Sequence, residues 1–310
     1  MTRVPMKCRV CRGPAVIDLK RHNANFCREH FVAHCEEQVR RAIKHFQMMG
    51  PGERVLVAVS GGKDSLALWD LLGRLDLPAD GLYVGLGIDE YSDESARYAR
   101  AYADARGLTL HVVDLAADHG FTVPEAAAAT HRAPCGACGL SKRHVFNQFA
   151  LDHGYDVVAT GHNLDDEAAV LLGNVLHWDL DYLARQHPAL PAAAGFARKV
   201  KPLYRLGERE MAAYCVLERI DYQVEECPMA AGNRHIGYKE TLNELEARSP
   251  GSKAAFLFGF LERAHEQLAP HDGGTTPVDL HPCTRCGAPT PGEVCAFCRL
   301  RERAIPVTAS

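Results

Sequence analysis

The sequence predicts an α/β protein with a doubly wound parallel sheet, because apolar strands alternate with helical segments along the middle of the chain. Val55–Val59 is an apolar, β-branched run typical of a buried parallel strand, and an apolar-periodic helix follows it through Leu75. Three more strands are expected at 81–88, 108–115 and 156–160. A helix is expected at 94–106, between the first two of them. Ligands of such sheets bind outside the carboxyl ends of the strands.

A glycine turn joins the first of these strands to its helix, with the sequence Ser60-Gly61-Gly62-Lys63-Asp64-Ser65. Glycine lets the backbone turn sharply and approach a ligand, and the helix N-terminus offers free N–H groups to an anion. The spacing differs from the common phosphate loop, which has four residues between its glycines. The motif instead resembles the pyrophosphate loop of the ATP pyrophosphatases, which adenylate a substrate and release pyrophosphate. Residues 84–87 and 161–166 follow two other strands and are expected at the same crevice.

Length and composition describe an ordinary globular protein of 310 residues, 24% charged and 47% hydrophobic. No apolar run approaches the roughly 18–20 residues that span a bilayer, so we expect a cytoplasmic protein without membrane contact. The net charge is −4, yet residues 1–54 carry eleven Lys/Arg against five Asp/Glu, and residues 281–310 carry four against two. Basic ends on an acidic body suit a phosphate-bearing partner.

Two groups of the twelve cysteines have the spacing of tetrahedral zinc sites. The first is Cys8-x-x-Cys11 with Cys27-x-x-His30, and His22, His34 and Cys35 compete with His30 for the fourth place. The second is Cys283-x-x-Cys286 with Cys295-x-x-Cys298, after a segment at 269–277 with the composition of a linker. Both sites would be filled by protein ligands, so these metals are expected to stabilise structure. We predict modules at 1–50, 51–270 and 271–310, the last a separate C-terminal unit.

A third group of cysteines lies in the predicted catalytic module. Cys135-Gly-Ala-Cys138 precedes a helix expected at 140–153, and Cys227 follows an amphipathic helix near 208–220. A lone Cys-x-x-Cys fits a redox disulfide, half a zinc site or part of an iron–sulfur cluster. Three cysteines suit a cubane cluster with one iron left open. Cys215, inside the second helix, is interpreted as a core residue.

Taken together, these motifs and their order resemble the two-zinc-finger tRNA 2-thiolation enzymes, a family with the PP-loop ATP pyrophosphatase (HUP-like) fold flanked by zinc fingers. The resemblance covers nearly the whole chain, including Gly-His-Asn-Leu-Asp-Asp-Glu at 161–167 and Glu-Cys-Pro at 226–228. It implies that Cys135, Cys138 and Cys227 hold a [4Fe-4S] cluster and that Lys142 and Asp166 take part in catalysis. It also implies an ATP site formed by Ala58, Ser60, Gly61, Gly62, Lys63, Asp64, Ser65, Val84, Lys142 and Gly161. The segment after Cys138 reads Gly139-Leu-Ser-Lys-Arg143, where relatives carry an arginine pair, and this difference weakens the assignment of Lys142.

The expected reaction is adenylation of a uridine C2 carbonyl and replacement of its oxygen by sulfur, with ATP, Mg²⁺, a [4Fe-4S] cluster and two Zn²⁺. The expected partners are tRNA and a sulfur donor: a thiocarboxylated ubiquitin-like carrier, a persulfide or sulfide. A homodimer is left open. The alternatives are cytidine thiolation by a related cluster enzyme, a PP-loop C–N ligase, and a zinc-knuckle RNA-binding protein without activity.

Two further expectations concern the remaining polar residues. We expect the basic ends to hold the tRNA, with contacts from Arg9, Arg12, Lys20 and Arg21. A basic run at 198–205 is expected to add contacts, with Tyr204 available to stack on a base. His162 is expected to be exposed at a strand end with a structural role, and Asp166 could also serve as a helix-start carboxylate.

Overall fold

The computed structural model describes residues 6–193, 195–232, 234–268 and 280–305. At its N-terminal end the strands β1 (Ile17–Leu19) and β2 (Ala24–Phe26) form an antiparallel hairpin around a 3₁₀ turn, Lys20–His22. Helix α1 (Arg28–Phe46) follows. It begins directly after Cys27 and ends at Gln47, whose backbone is in the left-handed region.

A six-stranded sheet forms the centre of the molecule, in the order β5-β4-β3-β6-β8-β7. All neighbouring pairs are parallel except β7 with β8. The strands are β3 (Val55–Val59), β4 (Ala79–Gly85), β5 (Leu110–Asp114), β6 (Val157–Thr160), β7 (Ala189–Leu190) and β8 (Arg198–Val200). The predicted doubly wound parallel sheet is therefore confirmed, with its strands close to the predicted positions.

Helices cover both faces of this sheet. They are α2 (Lys63–Arg74), α3 (Asp89–Arg106), α4 (Leu115–His119), α5 (Val123–Thr130), α6 (Pro134–Asp152), α7 (Leu164–His177), α8 (Leu180–Arg185), α9 (Glu208–Glu218), α10 (Arg234–Arg248), α11 (Ser252–Arg263) and α12 (His265–Leu268). Short 3₁₀ turns occupy Pro202–Arg205 and Pro228–Ala230. Two short strands, β9 (His281–Pro282) and β10 (Pro289–Thr290), and helix α13 (Ala296–Ala304) form the C-terminal part.

The residues of β3 alternate between two hydrophobic cores, because successive side chains of a strand point to opposite faces. Val55, Val57 and Val59 pack with α1, α2 and the N-terminal hairpin, and Cys215 lies in the same core, as predicted. Leu56 packs into the second core, which also contains Phe297 of α13. The C-terminal part therefore shares its core with the sheet and does not pack as a separate unit.

Two other expectations concern the chain outside these cores. The predicted linker at 269–277 lies outside the described residues. Within the described ranges, no helix is both long and apolar enough to cross a bilayer.

Candidate active site and metal centres

The crevice expected for a ligand lies where β3 and β6 are neighbours in the sheet. The loop after β6 touches the loop after β3 directly. A Cβ atom on Gly161 would lie 2.9 Å from the amide nitrogen of Ser65 and 2.9 Å from the carbonyl carbon of Asp64. Main-chain atoms cannot move aside cheaply, so a side chain at position 161 would displace the loop. The structure thus brings together two distant segments that the sequence predicted to meet.

The Ser-Gly-Gly-Lys-Asp-Ser loop is held in shape by its own polar groups. Ser65 Oγ accepts a hydrogen bond from the Ser60 amide at 3.1 Å and donates one to the Gly62 carbonyl at 3.0 Å. Gly61 has φ +74°, and a Cβ there would lie 2.2 Å from the carbonyl oxygen of Ser95. This position therefore requires glycine for both its backbone conformation and its close packing.

Three helix N-termini converge beside this loop: α2 after Gly62, α7 after Asn163 and α9 after Gly207. Their first residues line one cavity of about 860 Å³, together with Asp18–Arg21 of the N-terminal hairpin and the segment before Cys227. Each N-terminus presents the positive end of its helix dipole, while the first amides of α7 are already hydrogen-bonded to Asn163 and Leu206. The N-terminus of α2, directly after the glycine turn, suits the phosphates of a nucleotide.

A chain of alternating charges links these helix starts. Lys63 Nζ lies 2.8 Å from Glu208 Oε1 and 3.1 Å from Asp64 Oδ2. Lys239 of α10 lies 2.6 Å from Asp166 Oδ1 and 3.3 Å from Glu208 Oε2. Burial raises the pKa of Asp64. Burial alone would also raise the pKa of Asp166, but Lys239 outweighs it and holds that pKa below its ordinary value.

Asp166 has a second role as the N3 residue of a capping box. Its Oδ2 accepts from the Asn163 amide, while Asn163 Oδ1 accepts from the Asp166 amide. The side-chain amide of Asn163 also donates to Asp64 at 3.0 Å, which fixes the start of α7 against the phosphate loop. His162 is exposed, as predicted, and lies 2.8 Å from Thr160 Oγ1.

Glu208 and Lys239 are the site residues that the sequence did not reveal. Glu208 had a weak signal, since it is a carboxylate at the start of a predicted helix behind Gly207. Lys239 had none, because it reaches Asp166 only through the packing of α10 on α7. Ala58 and Val84 lie within β3 and β4, and the Val84 side chain is buried in the second core. The main chain of Val84 is therefore what remains for a nucleotide to contact.

The helix after Cys135 begins earlier than predicted, and this corrects the position of the Cys-x-x-Cys motif. Helix α6 starts at Pro134 instead of Leu140, because proline suits the first turn of a helix. Cys135, Cys138 and Lys142 therefore have the spacing i, i+3, i+7 and lie on one helical face. Lys142 is partly buried and makes no hydrogen bond or ion pair with any residue in the described part of the chain.

Cys227 is brought to this face by the 3₁₀ turn that follows it, which packs on α6. Cys135 Sγ lies 3.9 Å from the carbonyl oxygen of Met229, and Cys138, Cys227 and Met229 line the second core. Cys227 and Cys138 also lie near Tyr91, where burial, and then the charge of Cys227, raises the pKa of the phenol to about 12.

The segment that carries Cys227 is hydrogen-bonded to the phosphate loop. The Gln223 amide donates to the Gly61 carbonyl at 3.0 Å, and the Gln223 side chain donates to the Tyr91 carbonyl at 3.2 Å. The segment that carries Cys227 therefore lies against the phosphate loop.

The N-terminal ligand set has the geometry of a tetrahedral metal site. One ligand atom each of Cys8, Cys11, Cys27 and His30 lies within 4.8 Å of all the others. The sulfurs of Cys11 and Cys27 are 3.8 Å apart, and Cys8 Sγ lies 3.6 Å from His30 Nδ1. Two sulfurs, each about 2.3 Å from one zinc, would be about 3.8 Å apart, and a sulfur–nitrogen pair about 3.6 Å. His30 occupies the fourth place, while Cys35 lies fully buried in the core.

The C-terminal set, Cys283, Cys286, Cys295 and Cys298, is gathered in the same way, with 3.7 Å between two of its sulfurs. Burial alone would raise the pKa of Cys283, but the amides of Cys295 and Arg285 donate to its sulfur and lower the pKa to about 6. Phe297 of the adjoining helix stacks on His144 of α6 at 3.9 Å between ring centres. This set is therefore fixed to the helix that carries Cys135 and Cys138.

One predicted tRNA contact is wrong, and several of the predicted cations form ion pairs within the protein. Tyr204 is 1% exposed and packs in the first core, so it cannot stack on a base. In the basic run, Arg198 pairs with Glu53 and Lys201 with Glu167. Arg21 is also engaged, because its guanidinium binds Glu210 at 2.7 Å. Arg9, Arg12 and Lys20 stay exposed.

The fold and the loop define an enzyme class, the PP-loop ATP pyrophosphatases. A family model described as "PP-loop domain" matches residues 35–232. A second, described as "2-thiouridine synthetase TtuA, N-terminal LIM domain", matches residues 7–32. The chain belongs to the PP-loop family of tRNA 2-thiolation enzymes, as the resemblance in its motifs predicted.

The relatives of this chain are similar along almost their whole length. The tRNA-5-methyluridine(54) 2-sulfurtransferase of Thermus thermophilus is 52% identical over 95% of this chain and 91% of its own. The protein of the same name from Pyrococcus horikoshii is 41% identical over 95% and 93%. A solved structure, the U34-tRNA thiolase NcsA from Methanococcus maripaludis with its [4Fe-4S] cluster, superimposes with a TM-score of 0.82 at 25% identity, covering 96% of each chain.

Proposed function

We propose that this protein is an ATP-dependent tRNA-uridine 2-sulfurtransferase, which adenylates the C2 oxygen of a uridine and replaces that oxygen with sulfur. The observation that carries this proposal is the 3.0 Å hydrogen bond between Gln223 and Gly61, which ties the segment of Cys227 to the phosphate loop. A group that binds ATP and a group that handles sulfur are thereby held in one crevice.

Adenylation is needed because the C2 oxygen of uridine is a poor leaving group. Attack of this oxygen on the α-phosphate of ATP forms an adenylated base and releases pyrophosphate. The helix N-termini and Lys63 face the charge that develops on the phosphates. Lys63 is paired with Glu208 and Asp64 before the nucleotide binds, so phosphate oxygens would replace these carboxylates. The freed carboxylates, with Asp166, are oxygen ligands of the kind that Mg²⁺ prefers.

The three-cysteine face fits an iron–sulfur cluster in the chemistry of its donors. Cluster irons are held by cysteine thiolates, and Cys135, Cys138 and Cys227 lie where the 3₁₀ turn after Cys227 packs on α6, beside the apolar side chains of the second core. A [4Fe-4S] cluster held by three cysteines would supply one iron open to exogenous sulfur.

Lys142 is the cation that the chain offers beside this cluster site. It lies one helical turn beyond Cys138 on the same face of α6, and its charge contributes to lowering the pKa of His162, next to Gly161. We infer that the ammonium faces the reacting groups. There it can stabilise negative charge as sulfur attacks C2 and AMP leaves.

The remaining assignments extend the same proposal. The two tetrahedral sets would each hold a structural Zn²⁺. The substrate uridine would be the T-loop 5-methyluridine, since relatives at 52%, 41% and 40% identity bear that name. The donor would be sulfide, a persulfide or a thiocarboxylated carrier. A cytoplasmic location and a homodimer stay predictions.

The test is an anaerobic reaction of reconstituted protein with ATP, sulfide and tRNA that carries 5-methyluridine but no thionucleoside. AMP and pyrophosphate are quantified, and the thionucleoside is located by mass spectrometry of tRNA fragments. We expect one AMP for each 2-thiouridine, located in the T loop. Thiolation of the wobble uridine would overturn the T-loop assignment alone, and thiocytidine would support the cytidine alternative. AMP release that requires ammonia but not tRNA would identify a C–N ligase.

The matched control is Cys227→Ser. This variant should bind ATP and keep the wild-type zinc content, but it should lose the broad cluster absorption and form no thionucleoside. Full thiolation by Cys227→Ser would exclude the three-cysteine face from the reaction.

A further inference from the structure

A third group of metal-type ligands lies outside the two zinc-type sets and the crevice. It consists of His22, His34 and Glu210, each with one ligand atom within 4.8 Å of the other two. His22 ends the 3₁₀ turn of the N-terminal hairpin, His34 lies on α1, and Glu210 lies in the first turn of α9. Three separate elements therefore direct side chains at one point.

The polar atoms at this point are buried and have no partner. His22 Nε2, His34 Nε2 and Glu210 Oε1 each lack a hydrogen bond within the described part of the protein. The Glu210 side chain is 5% exposed and that of His34 is 12% exposed. Buried polar groups are nearly always hydrogen-bonded, because an unsatisfied one costs roughly 1–3 kcal/mol. Three such atoms facing one another indicate a missing common partner.

The geometry suits a metal ion as that partner. His34 Nε2 lies 3.5 Å from Glu210 Oε1. Two ligands, each about 2.0–2.1 Å from a tetrahedral zinc, would be about 3.3–3.4 Å apart. The side chains are also held in place: His34 stacks on Phe26 at 5.1 Å between ring centres, and His22 meets the His34 ring edge-on at 4.8 Å. Little side-chain entropy would be lost on binding.

The charges around the group set its affinity. Arg21 Nη2 and the Gly207 amide both donate to Glu210 Oε2 at 2.7 Å, which leaves Oε1 as the free oxygen. Arg21 and Arg205 are positive charges near the group and weaken its attraction for a cation. A cation here should bind less tightly than in a four-cysteine set.

We propose that His22, His34 and Glu210 form a third metal site, which takes a divalent transition-metal ion, foremost Zn²⁺, with water as the fourth ligand. Two imidazoles and one carboxylate are a ligand set that zinc accepts. The ion would bind the N-terminal hairpin to α9. The same first turn of α9 carries Glu208, which pairs with Lys63 of the phosphate loop. The ion would therefore also fix the position of Glu208 beside that loop.

The test compares zinc content between full-length variants. Wild type, His22→Gln and Glu210→Gln are equilibrated with excess Zn²⁺, passed over a desalting column and analysed by elemental mass spectrometry. We expect each variant to hold one zinc per chain fewer than wild type. His45→Gln is the matched control, since His45 lies exposed on the same helix as His34 and should retain the wild-type zinc content.

A second measurement uses only the wild-type protein, so its result does not depend on whether the variants fold. Wild type loaded with Co²⁺ should bind one equivalent that adds visible absorption without thiolate-to-cobalt charge transfer, because this site has no sulfur. Equal zinc content in wild type and both variants, or thiolate charge transfer for every bound cobalt, would overturn the proposal. The three atoms would then share a water or a proton.

Discussion

Replacing Lys142 with Met tests whether the ammonium beside the three-cysteine face acts in the reaction or only in the fold. The change removes the charge and keeps most of the alkyl stem. Lys142 has no hydrogen bond or ion pair with the described residues, so the unfolding free energy should change by no more than about 0.5 kcal/mol. Loss of one preorganised donor at a developing charge typically costs about 10²–10³ in rate. We therefore expect a rate loss of that size without a loss of stability.

The assay is single-turnover thiolation at saturating ATP and tRNA, with urea unfolding of the same preparations. Arg143→Met is the matched control, because Arg143 is exposed and lies about 100° around the same helix from Lys142. The control removes one positive charge from nearly the same place. It should weaken tRNA binding at most, and its rate at saturation should match wild type.

Three results would refute this reasoning. A Lys142→Met rate within a few fold of wild type would show that no step depends on the ammonium. A rate loss that Arg143→Met matches at saturating tRNA would assign the effect to the general electrostatic field. A large loss of stability in Lys142→Met would reveal a structural contact instead.

Three further predictions follow from other contacts. Gly161→Ala should weaken ATP binding roughly tenfold or more by calorimetry, because its Cβ would lie 2.9 Å from the main chain of the phosphate loop. Unchanged affinity would show that ATP binding does not depend on the contact between the two loops. Asp166 has a lowered pKa, so its pairing with Lys239 stabilises the fold above about pH 4 and is lost as the pH falls below that value. In unfolding measurements, Lys239→Met should therefore reduce the loss of stability between neutral and acid pH. An unaltered dependence of stability on pH would contradict the pairing. Neutralising the exposed cations of the N-terminal module should weaken tRNA binding and flatten its salt dependence while zinc content and ATP affinity persist, whereas unaltered tRNA affinity would leave that module purely structural. The cations to change together are Arg9, Arg12 and Lys20.

The sheet and the phosphate loop could be predicted because their signals are local. Val55–Val59 is apolar on both faces, as a strand between two cores must be, and the glycines after it mark the turn. The zinc-type sets could be predicted for a similar reason, since short spacing places two ligands of each pair at one point. Proline and glycines around Cys135 obscured the start of α6, which moved the motif from a loop into a helix.

What the sequence did not predict depends on tertiary packing. Tyr204 and Arg21 look like surface residues in the sequence, but the first packs under α1 and the second pairs with Glu210 from a distant helix. Lys239 reaches Asp166 across 73 residues of chain, and no periodicity or spacing marks that contact. The packing of α13 on α5 and α6 likewise has no signal in the sequence, and the predicted domain boundaries stay predictions.

The central claim is that ATP activation and sulfur transfer occur in one crevice on one tRNA uridine. Positional isotope labelling tests it most directly: tRNA carrying ¹⁸O at the C2 oxygen of its T-loop uridine reacts with ATP and sulfide, and the AMP is analysed by mass spectrometry. Attack of that oxygen on the α-phosphate predicts one ¹⁸O in the AMP for each 2-thiouridine formed. Thiolation accompanied by unlabelled AMP would contradict the account, because the C2 oxygen would then leave by another route.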